Sequence, residues 1–236
     1  MVVVLLSDAS LSTAQQPFPR PQFSEAWLAP PVDLTPVPPG SKAYDWDPVT
    51  GLSRRLQPGR PGGMHTVTGL AHDRNSKVAY DPAINEEGLR ARSLKLAALQ
   101  KTLKAPPVFG GDSGDMLLIG WGSTMGAIEE AVARLRAEGL AVSSMHLRFL
   151  QPMPSGIREI LGRFRHAMTI EGNWSDRPAD ELIDEDNRRY SALAMLLRSR
   201  FLRDIDCWSE ARGQPIKPGD ICKAVREAMQ RRGVLS

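Results

Sequence analysis

Short apolar runs, which predict β-strands, alternate with amphipathic stretches, which predict helices, through the C-terminal half of the sequence. The clearest helix covers 124–138, because Ile128, Val132 and Leu135 recur at the spacing of one helical face. Strand–helix alternation with short connections predicts an α/β domain with a parallel sheet over 113–236. The other predicted elements are strands at 116–119, 140–147, 166–171 and 205–208, and helices at 156–164, at 190–202 and at the C-terminal end.

The segment before this domain has a different composition. Residues 9–65 hold most of the 19 prolines, and proline removes backbone donors and favours extended conformations. Helices and central strands are therefore not expected there. Because Trp27, Tyr44 and Trp46 lie in the same segment, we expect an ordered, irregular arm that crosses a protein surface.

A helix is predicted over 84–104, where one face is largely leucine and lysines and arginines occupy the rest. The residues of the predicted leucine face are Leu89, Arg92, Leu96 and Leu99. The next stretch, 105–115, is rich in proline, glycine and aspartate, which is typical of a domain boundary. We therefore predict two parts, residues 1–112 and residues 113–236.

The sequence opens on the apolar segment Met-Val-Val-Val-Leu-Leu-Ser-Asp. This segment is too short for a signal peptide or a membrane span and has no basic region before it. Residues 1–8 instead predict a lone buried strand. Strands of this kind usually have partners on both sides, so we expect more protein or another subunit to cover it.

Composition narrows the classes of function. Lys and Arg number 30 against 27 Asp and Glu, and the basic residues are scattered without interleaved aromatics, so nucleic-acid binding is not expected. The two cysteines, Cys207 and Cys222, are too few to hold an iron–sulfur cluster and predict buried thiols in a cytoplasmic protein. The four histidines are dispersed, and their spacing predicts no metal site.

The stretch Gly120-Trp121-Gly122-Ser123-Thr124-Met125-Gly126 is similar to a nucleotide-binding loop. A dinucleotide fingerprint spaces its glycines as G-x-G-x-x-G and places an acid about 20 residues later, at the end of the second strand. Here the third glycine comes one residue late and no carboxylate ends the second strand, so a dinucleotide-dependent enzyme is disfavoured. The glycines instead predict a strand-to-helix turn, with Ser123 or Thr124 capping the helix.

Three candidate site residues lie at the carboxyl ends of predicted strands, where ligands bind in parallel sheets. Asp8 is the last residue of the N-terminal strand, Glu171 ends the strand at 166–171, and Asn173 comes two residues later. A carboxylate in such a position can serve chemistry or an interface, while a loop cap is the simpler interpretation of Asp8. No catalytic triad or carboxylate pair stands out in the sequence.

Further candidates lie between residues 54 and 73. Arg55, preceded by Arg54, and His72, followed by Asp73, are placed where they could face a substrate. A solvated or interface position is the alternative interpretation for each of them.

Several of these stretches together resemble the α subunit of the 2-oxoacid:ferredoxin oxidoreductases, particularly the C-terminal portion of the 2-oxoglutarate type. Their order and spacing agree with the family over nearly the whole chain. The matching stretches are VVVLLSD, TGLSRRLQPGRPGG, TGLAHDRN, RARSLKL, LLIGWGSTMGAIEEAVARLRAEGLAV, LRFLQPMP, IEGN, and ALAMLLRSRFL followed by GQPIKPGDI.

The resemblance implies a transketolase C-terminal-like domain from about residue 113, and it makes residues 1–8 the end of a pyrimidine-binding domain. It implies CoA-dependent oxidative decarboxylation of a 2-oxoacid such as 2-oxoglutarate, with electrons passed to ferredoxin. It also implies that thiamine diphosphate, magnesium and a 4Fe–4S cluster belong mainly to the β subunit. The chain would then bind no cofactor alone, would be inactive without that partner, and would dimerise through its C-terminal domain.

Two departures from the family pattern bear on activity. The family's carboxylate that contacts the aminopyrimidine precedes VVVLLSD and has no counterpart here. Family members commonly read Pro-Glu-x-Asn-x-Gly-Gln after the third strand; this sequence keeps Glu171 and Asn173 but has an acidic insertion in place of Gly-Gln. The chain is therefore interpreted as an α subunit or part of one, and the alternative is a non-catalytic assembly or oligomerisation module with the same fold.

Overall fold

The computed structural model describes residues 4–8, 12–13, 15, 17–28, 35–53, 56–57 and 59–235. The chain forms two compact units. One unit contains residues 1–15 and 104–236, and the other contains residues 16–103. We call residues 104–236 the α/β domain and residues 16–103 the arm.

The α/β domain is built on a five-stranded sheet in the order β1-β3-β2-β4-β5. β2, β3, β4 and β5 pair in parallel, whereas the short β1 pairs antiparallel with β3. The predicted parallel sheet is confirmed, and β1 was not predicted because two residues carry no periodicity. The strands are β1 Val108–Phe109, β2 Gly114–Trp121, β3 Val142–Leu147, β4 Phe164–Glu171 and β5 Asp206–Ser209.

Four helices connect or follow these strands, and all four were predicted to within a few residues. Helix ends fray, which explains small differences in the bounds. Gly139 takes a positive φ of 87° directly after the first of them, as expected for a C-terminal glycine. The helices are α2 Met125–Ala137, α3 Ile157–Gly162, α4 Ala192–Phe201 and α5 Pro218–Arg231.

Both faces of the sheet are buried, because successive side chains of β2 point to opposite sides. Leu118 packs against α2 and α5, in a cluster that includes Ile128 and Val225. Leu117 packs on the other face, in a cluster that includes Leu193 of α4. Full burial of a leucine contributes about 1.5–3 kcal/mol, so these two layers stabilise the domain.

The arm is largely irregular in its described part, as its prolines predict. A 3-10 helix covers Glu25–Trp27, and one long helix, α1, covers Pro82–Thr102. Between them, the Tyr44 ring stacks on the His72 ring with centroids 5.0 Å apart. The predicted helix over 84–104 is confirmed. No helix in the described ranges is both long and apolar enough to cross a membrane.

Helix α1 turns its leucines outward. Leu89, Leu96 and Leu99 are 55%, 41% and 42% exposed. The buried residues of the helix are Gly88 and Ala91. The leucines of the predicted face are therefore among the exposed residues of the helix.

The predicted strand over residues 1–8 is wrong for its described part. Residues 4–8 form no strand, and Val4, Leu5 and Leu6 are 75–89% exposed. A strand needs hydrogen-bonded neighbours, and the described sheet pairs only β1 to β5 with one another. Met1 to Val3 lie outside the described residues.

The two cysteines are buried and free, as predicted. Cys207 lies on β5, and Cys222 lies on α5, where its Sγ is 3.7 Å from the carbonyl oxygen of Ala131. Burial raises the pKa of the Cys222 thiol, which keeps it protonated.

Candidate functional site

A crevice opens at the carboxyl edge of the sheet. β2 and β4 are neighbours, but the helices that follow them, α2 and α4, pack on opposite faces. Such a switch point is where open α/β sheets bind ligands. A pocket of about 900 Å³ lies there, and its lining residues are Leu6, Ser7, Asp8, Trp121, Gly122, Ser123, Thr124, Ala127, Gly172, Asn173, Glu210, Gly213, Gln214, Pro215 and Ile216.

The glycine stretch forms the strand-to-helix turn at this edge, as predicted. Gly122 has a φ of +63°, which a side chain would strain. A Cβ on Gly120 would lie 2.3 Å from Cδ1 of Ile128, so a larger residue would require the buried Ile128 side chain to move. The stretch therefore shapes the fold of the domain.

The predicted helix cap is wrong. Residues Gly122–Thr124 form a 3-10 turn before α2, and neither hydroxyl caps the helix. Thr124 Oγ1 donates to the carbonyl oxygen of Trp121 at 2.9 Å, and Ser123 Oγ donates to Oδ2 of Asp8 at 2.9 Å. The extra turn moves both side chains away from the helix N–H groups that a cap would reach.

The structure brings Asp8 and Asn173 to the same pocket, although 164 residues separate them in the chain. Asp8 comes from the N-terminal segment and is held by Ser123 at the end of β2. Asn173 comes from the loop after β4. Residues 4–8 thus contact the domain through a polar side chain and not through a β-ladder.

Glu171, the last residue of β4, is fully buried. Its carboxylate accepts hydrogen bonds from Ser191 Oγ at 2.5 Å, from the Leu193 N–H at 2.9 Å and from the Ala194 N–H at 3.1 Å. These donors form the first turn of α4, where free N–H groups and the helix dipole favour an anion. Glu171 therefore caps α4 from 20 residues away in the sequence and ties it to the sheet.

Asn173 is oriented by Glu171. Its Nδ2 donates to Oε2 of Glu171 at 2.9 Å, which fixes which way the amide points. Its Oδ1 is buried and has no hydrogen-bond partner within the described residues. A buried acceptor without a partner lowers the free energy of unfolding by about 1–3 kcal/mol, so the position of Asn173 reduces the stability of the fold.

The pocket is acidic in character. Its ionisable lining residues are Asp8 and Glu210, and no lysine or arginine lines it in the described part of the chain. Arg212 forms an ion pair with Glu210 at 2.8 Å, and the Arg212 side chain is 67% exposed. A ligand bearing N–H or O–H donors suits this wall better than an anion does.

Sequence reasoning missed several lining residues, among them Trp121, Glu210 and Gln214. Trp121 ends β2 and Glu210 follows β5, so both hold the same strand-end position that singled out Glu171. That signal was present in the sequence. It could not be ranked without the strand order, which decides which strand ends meet.

Two of the candidates in the arm, His72 and Asp73, are described, and both contact neighbouring residues of the arm. His72 is buried, and its Nε2 lies 3.1 Å from Thr68 Oγ1. Asp73 Oδ1 accepts from the backbone N–H groups of Asn75 and Lys77 and closes a turn. Arg54 and Arg55 lie outside the described residues.

The acidic insertion after β4 forms a closed loop. Arg189 donates from Nε and Nη2 to the two carboxylate oxygens of Asp176 at 2.9 and 2.8 Å. Its backbone N–H adds a third bond to the same side chain. These bonds hold the pKa of Asp176 well below its usual range. The clamp fixes the ends of 177–188, which has neither helix nor strand, as predicted.

Comparison with known proteins adds independent information. No family model matches the chain. Over 96% of its length, the chain is 29% identical to the 2-oxoglutarate oxidoreductase subunit KorA of Mycobacterium tuberculosis. Over 48% of its length, it is 36% identical to subunit alpha of 2-oxoacid:ferredoxin oxidoreductase 1 of Aeropyrum pernix.

One solved structure is similar in both sequence and fold. The 2-oxoglutarate:ferredoxin oxidoreductase from Magnetococcus marinus, with 2-oxoglutarate, coenzyme A and succinyl-CoA bound, covers 80% of this chain with 26% identity and a TM-score of 0.65. The chain spans only 31% of that protein's chain. It likewise spans 32% and 19% of the two curated relatives.

The resemblance inferred from the sequence motifs is confirmed by these matches. The α/β fold with a mostly parallel sheet is confirmed by the strand order and by the Magnetococcus structure. The chain is thus related, over most of its length, to α subunits of the 2-oxoacid:ferredoxin oxidoreductases, and in particular to those of the 2-oxoglutarate type.

Proposed function

We propose that this chain acts as an α subunit, or as part of one, in a 2-oxoacid:ferredoxin oxidoreductase that uses a 2-oxoacid such as 2-oxoglutarate. The reaction is a CoA-dependent oxidative decarboxylation with ferredoxin as electron acceptor. One observation carries the proposal: the match to a 2-oxoglutarate oxidoreductase subunit extends over 96% of the chain, including the arm as well as the α/β domain.

The donor set of this chain does not fit a 4Fe–4S cluster. A cluster needs four thiolates, and the chain has two cysteines, both buried and used in packing. No group of three His, Cys, Asp or Glu side chains within the described ranges could hold a metal ion. We therefore assign cluster, thiamine diphosphate and magnesium to a β subunit, and we expect this chain to be inactive alone.

The candidate site residues receive supporting roles in this proposal. Glu171 ties α4 to the sheet and orients Asn173, while Asp8 and Asn173 shape the pocket at the carboxyl edge. Arg55 stays a candidate for contact with substrate. The division into residues 1–112, with the end of a pyrimidine-binding domain and the arm, and 113–236, with a dimerising transketolase C-terminal-like domain, also remains part of the proposal.

The alternative, a non-catalytic assembly or oligomerisation module, is not favoured, because the matched relatives are named as oxidoreductase subunits. A dinucleotide-dependent enzyme is not favoured either, because the glycine stretch serves helix packing and the pocket wall is acidic.

The test is co-expression of the full chain with the oxidoreductase subunits encoded beside it, followed by a viologen-reduction assay. We expect a stable complex whose viologen reduction requires both 2-oxoglutarate and CoA. The isolated chain, assayed in parallel, should show no turnover.

Omission of CoA, and replacement of 2-oxoglutarate by pyruvate, serve as matched controls for the acyl acceptor and the substrate. A complex that forms but reduces viologen with none of the 2-oxoacids tested would overturn the proposal. A stable homo-oligomer that binds none of these subunits would support the assembly module instead.

A further inference from the structure

The outward face of α1 forms an apolar line on a basic helix. We call Leu89, Leu96 and Leu99 the leucine stripe. Their spacing of seven and three residues places them on one side of the helix, and Leu89 and Leu96 lie opposite the buried Ala91. Helices that dock into a protein groove present anchors at this spacing.

The charge around the stripe is mainly positive, and Glu86 is an exposed acidic residue one turn before Leu89. Residues 88–102 of α1 contain four basic and no acidic side chains. The acidic residue just before them, Glu87, is already paired with Arg74, which also binds Asp45. All four basic side chains, Arg90, Arg92, Lys95 and Lys101, are exposed.

The rest of the arm is also rich in exposed apolar side chains. Among the described residues of the arm, the buried apolar side chains are Leu56 and Ala91. Phe18 and Phe23 are each 74% exposed, and Tyr80 is 84% exposed. Large apolar side chains left exposed in such number favour an interaction surface.

We propose that the leucine stripe docks into an apolar groove with an acidic rim on the partner subunit of the oxidoreductase. Charge complementarity selects this occupant, because two copies of the helix meeting face to face would place like charges together. Leucines without interleaved aromatics are unsuited to stacking on nucleic acid. This inference rests on the proposed function and names the surface through which the partner is held.

The test measures the affinity of the full chain for the purified partner subunit by biolayer interferometry. The variant is L89Q/L96Q/L99Q, which keeps helix-favouring residues and changes only exposed side chains. We expect an unchanged circular dichroism spectrum and thermal midpoint for the isolated variant. We expect its affinity for the partner to fall at least tenfold.

The matched control is R90Q/A97Q, two exposed positions on the flank of the same helix, with an expected loss below threefold. A second variant, R92E/K95E, should weaken binding at low salt and reduce its dependence on salt concentration. Loss of affinity in the control equal to that in the leucine variant would count against the stripe.

Two further outcomes separate this inference from the proposed function. If the leucine variant binds as the native chain does and the complex turns over 2-oxoglutarate, the docking surface is wrong and the function stands. If the native chain neither binds the partner nor supports turnover, both fail. If the native chain self-associates and the leucine variant does not, a second copy is the occupant and the inference is overturned.

Discussion

In the α/β domain both faces of the central strands are covered, whereas in the arm most large apolar side chains face outward. Leu117 and Leu118 are fully buried, each by helices on its own side of the sheet. Leu89 and Leu96, on helix α1, are about half exposed. A hydrophobic pattern therefore identifies an apolar face, but it does not say whether the same chain covers it.

The two regions also use polar side chains differently. In the α/β domain, the buried carboxylate of Glu171 joins a strand to a helix. In the arm, Asp47 binds the backbone and side chain of Thr50, three residues away, and Asp73 closes a turn in the same way. Long-range polar contacts fix tertiary structure, while local ones fix only the path of the chain. The turns at Asp47 and Asp73 are thus fixed locally, although Arg74 also joins Asp45 to Glu87 across longer separations.

The comparison is tested most strongly by truncating one leucine in each region. Leu118→Ala leaves a cavity between the sheet and its helices and should lower the free energy of unfolding by about 2–5 kcal/mol. Leu96→Ala removes an exposed side chain and should change it by less than about 0.5 kcal/mol. Urea denaturation of the isolated chain measures both; equal losses would show that the chain itself covers the stripe.

Glu171→Gln tests whether the buried carboxylate holds the α/β domain together. The amide loses the charge at the start of α4 and turns a donor toward the Leu193 and Ala194 N–H groups. We expect a loss of about 2–3 kcal/mol in the free energy of unfolding. Ser191→Ala keeps those two N–H bonds and should cost about 1 kcal/mol, and a smaller effect for Glu171→Gln than for Ser191→Ala would refute the cap.

Gly120→Ala tests the close approach of α2 to β2. The added methyl group meets Cδ1 of Ile128 at 2.3 Å, so we expect a loss of about 1–3 kcal/mol. Gly126→Ala is the matched control, because no atom lies within 4 Å of its Cβ position and it is helical. The control should be neutral or stabilising by up to about 1 kcal/mol, and thermal unfolding distinguishes the pair.

The smallest effect is expected at the loop clamp, the hydrogen bonds between Asp176 and Arg189. The loop that it closes, 177–188, is irregular like most of the arm. Hydrogen bonds from Arg189 lower the pKa of Asp176, so the clamp contributes stability above the unfolded-state pKa of about 3.9. That contribution is lost as the pH falls through the lower folded-state pKa. The protection of the amides in 177–188, measured relative to their intrinsic exchange rate at each pH, should therefore fall only in strong acid.

Asp176→Asn should lower the protection of 177–188 at neutral pH and remove the dependence of that protection on acid. Asp186→Asn, an exposed position within the same loop, is the control and should leave exchange across the clamp unchanged. Slow exchange in Asp176→Asn at pH 7 would show that other contacts close the loop.

Part of the candidate site could be predicted from the sequence, because the residues concerned act on their neighbours along the chain. The glycine stretch was predicted to be a turn because its spacing and the missing acid exclude a dinucleotide loop, and the geometry at Gly120 agrees. Glu171 and Asn173 were singled out because they lie at the end of a strand. Neither the cap on α4 nor the meeting of Asn173 with Asp8 could be predicted, since both depend on strand order and on contacts across many residues.

The sequence by itself determined the four longer strands and the helices of the α/β domain, the irregular character of the arm, the buried cysteines and the family resemblance. Each depends on spacing or residue type along the chain, and these act on neighbouring residues. Only the tertiary structure decided that residues 4–8 form no strand, that α1 turns its leucines outward and that the pocket lies between β2 and β4. Those outcomes depend on which surfaces lie next to one another in the folded chain, and residues far apart in the sequence determine that.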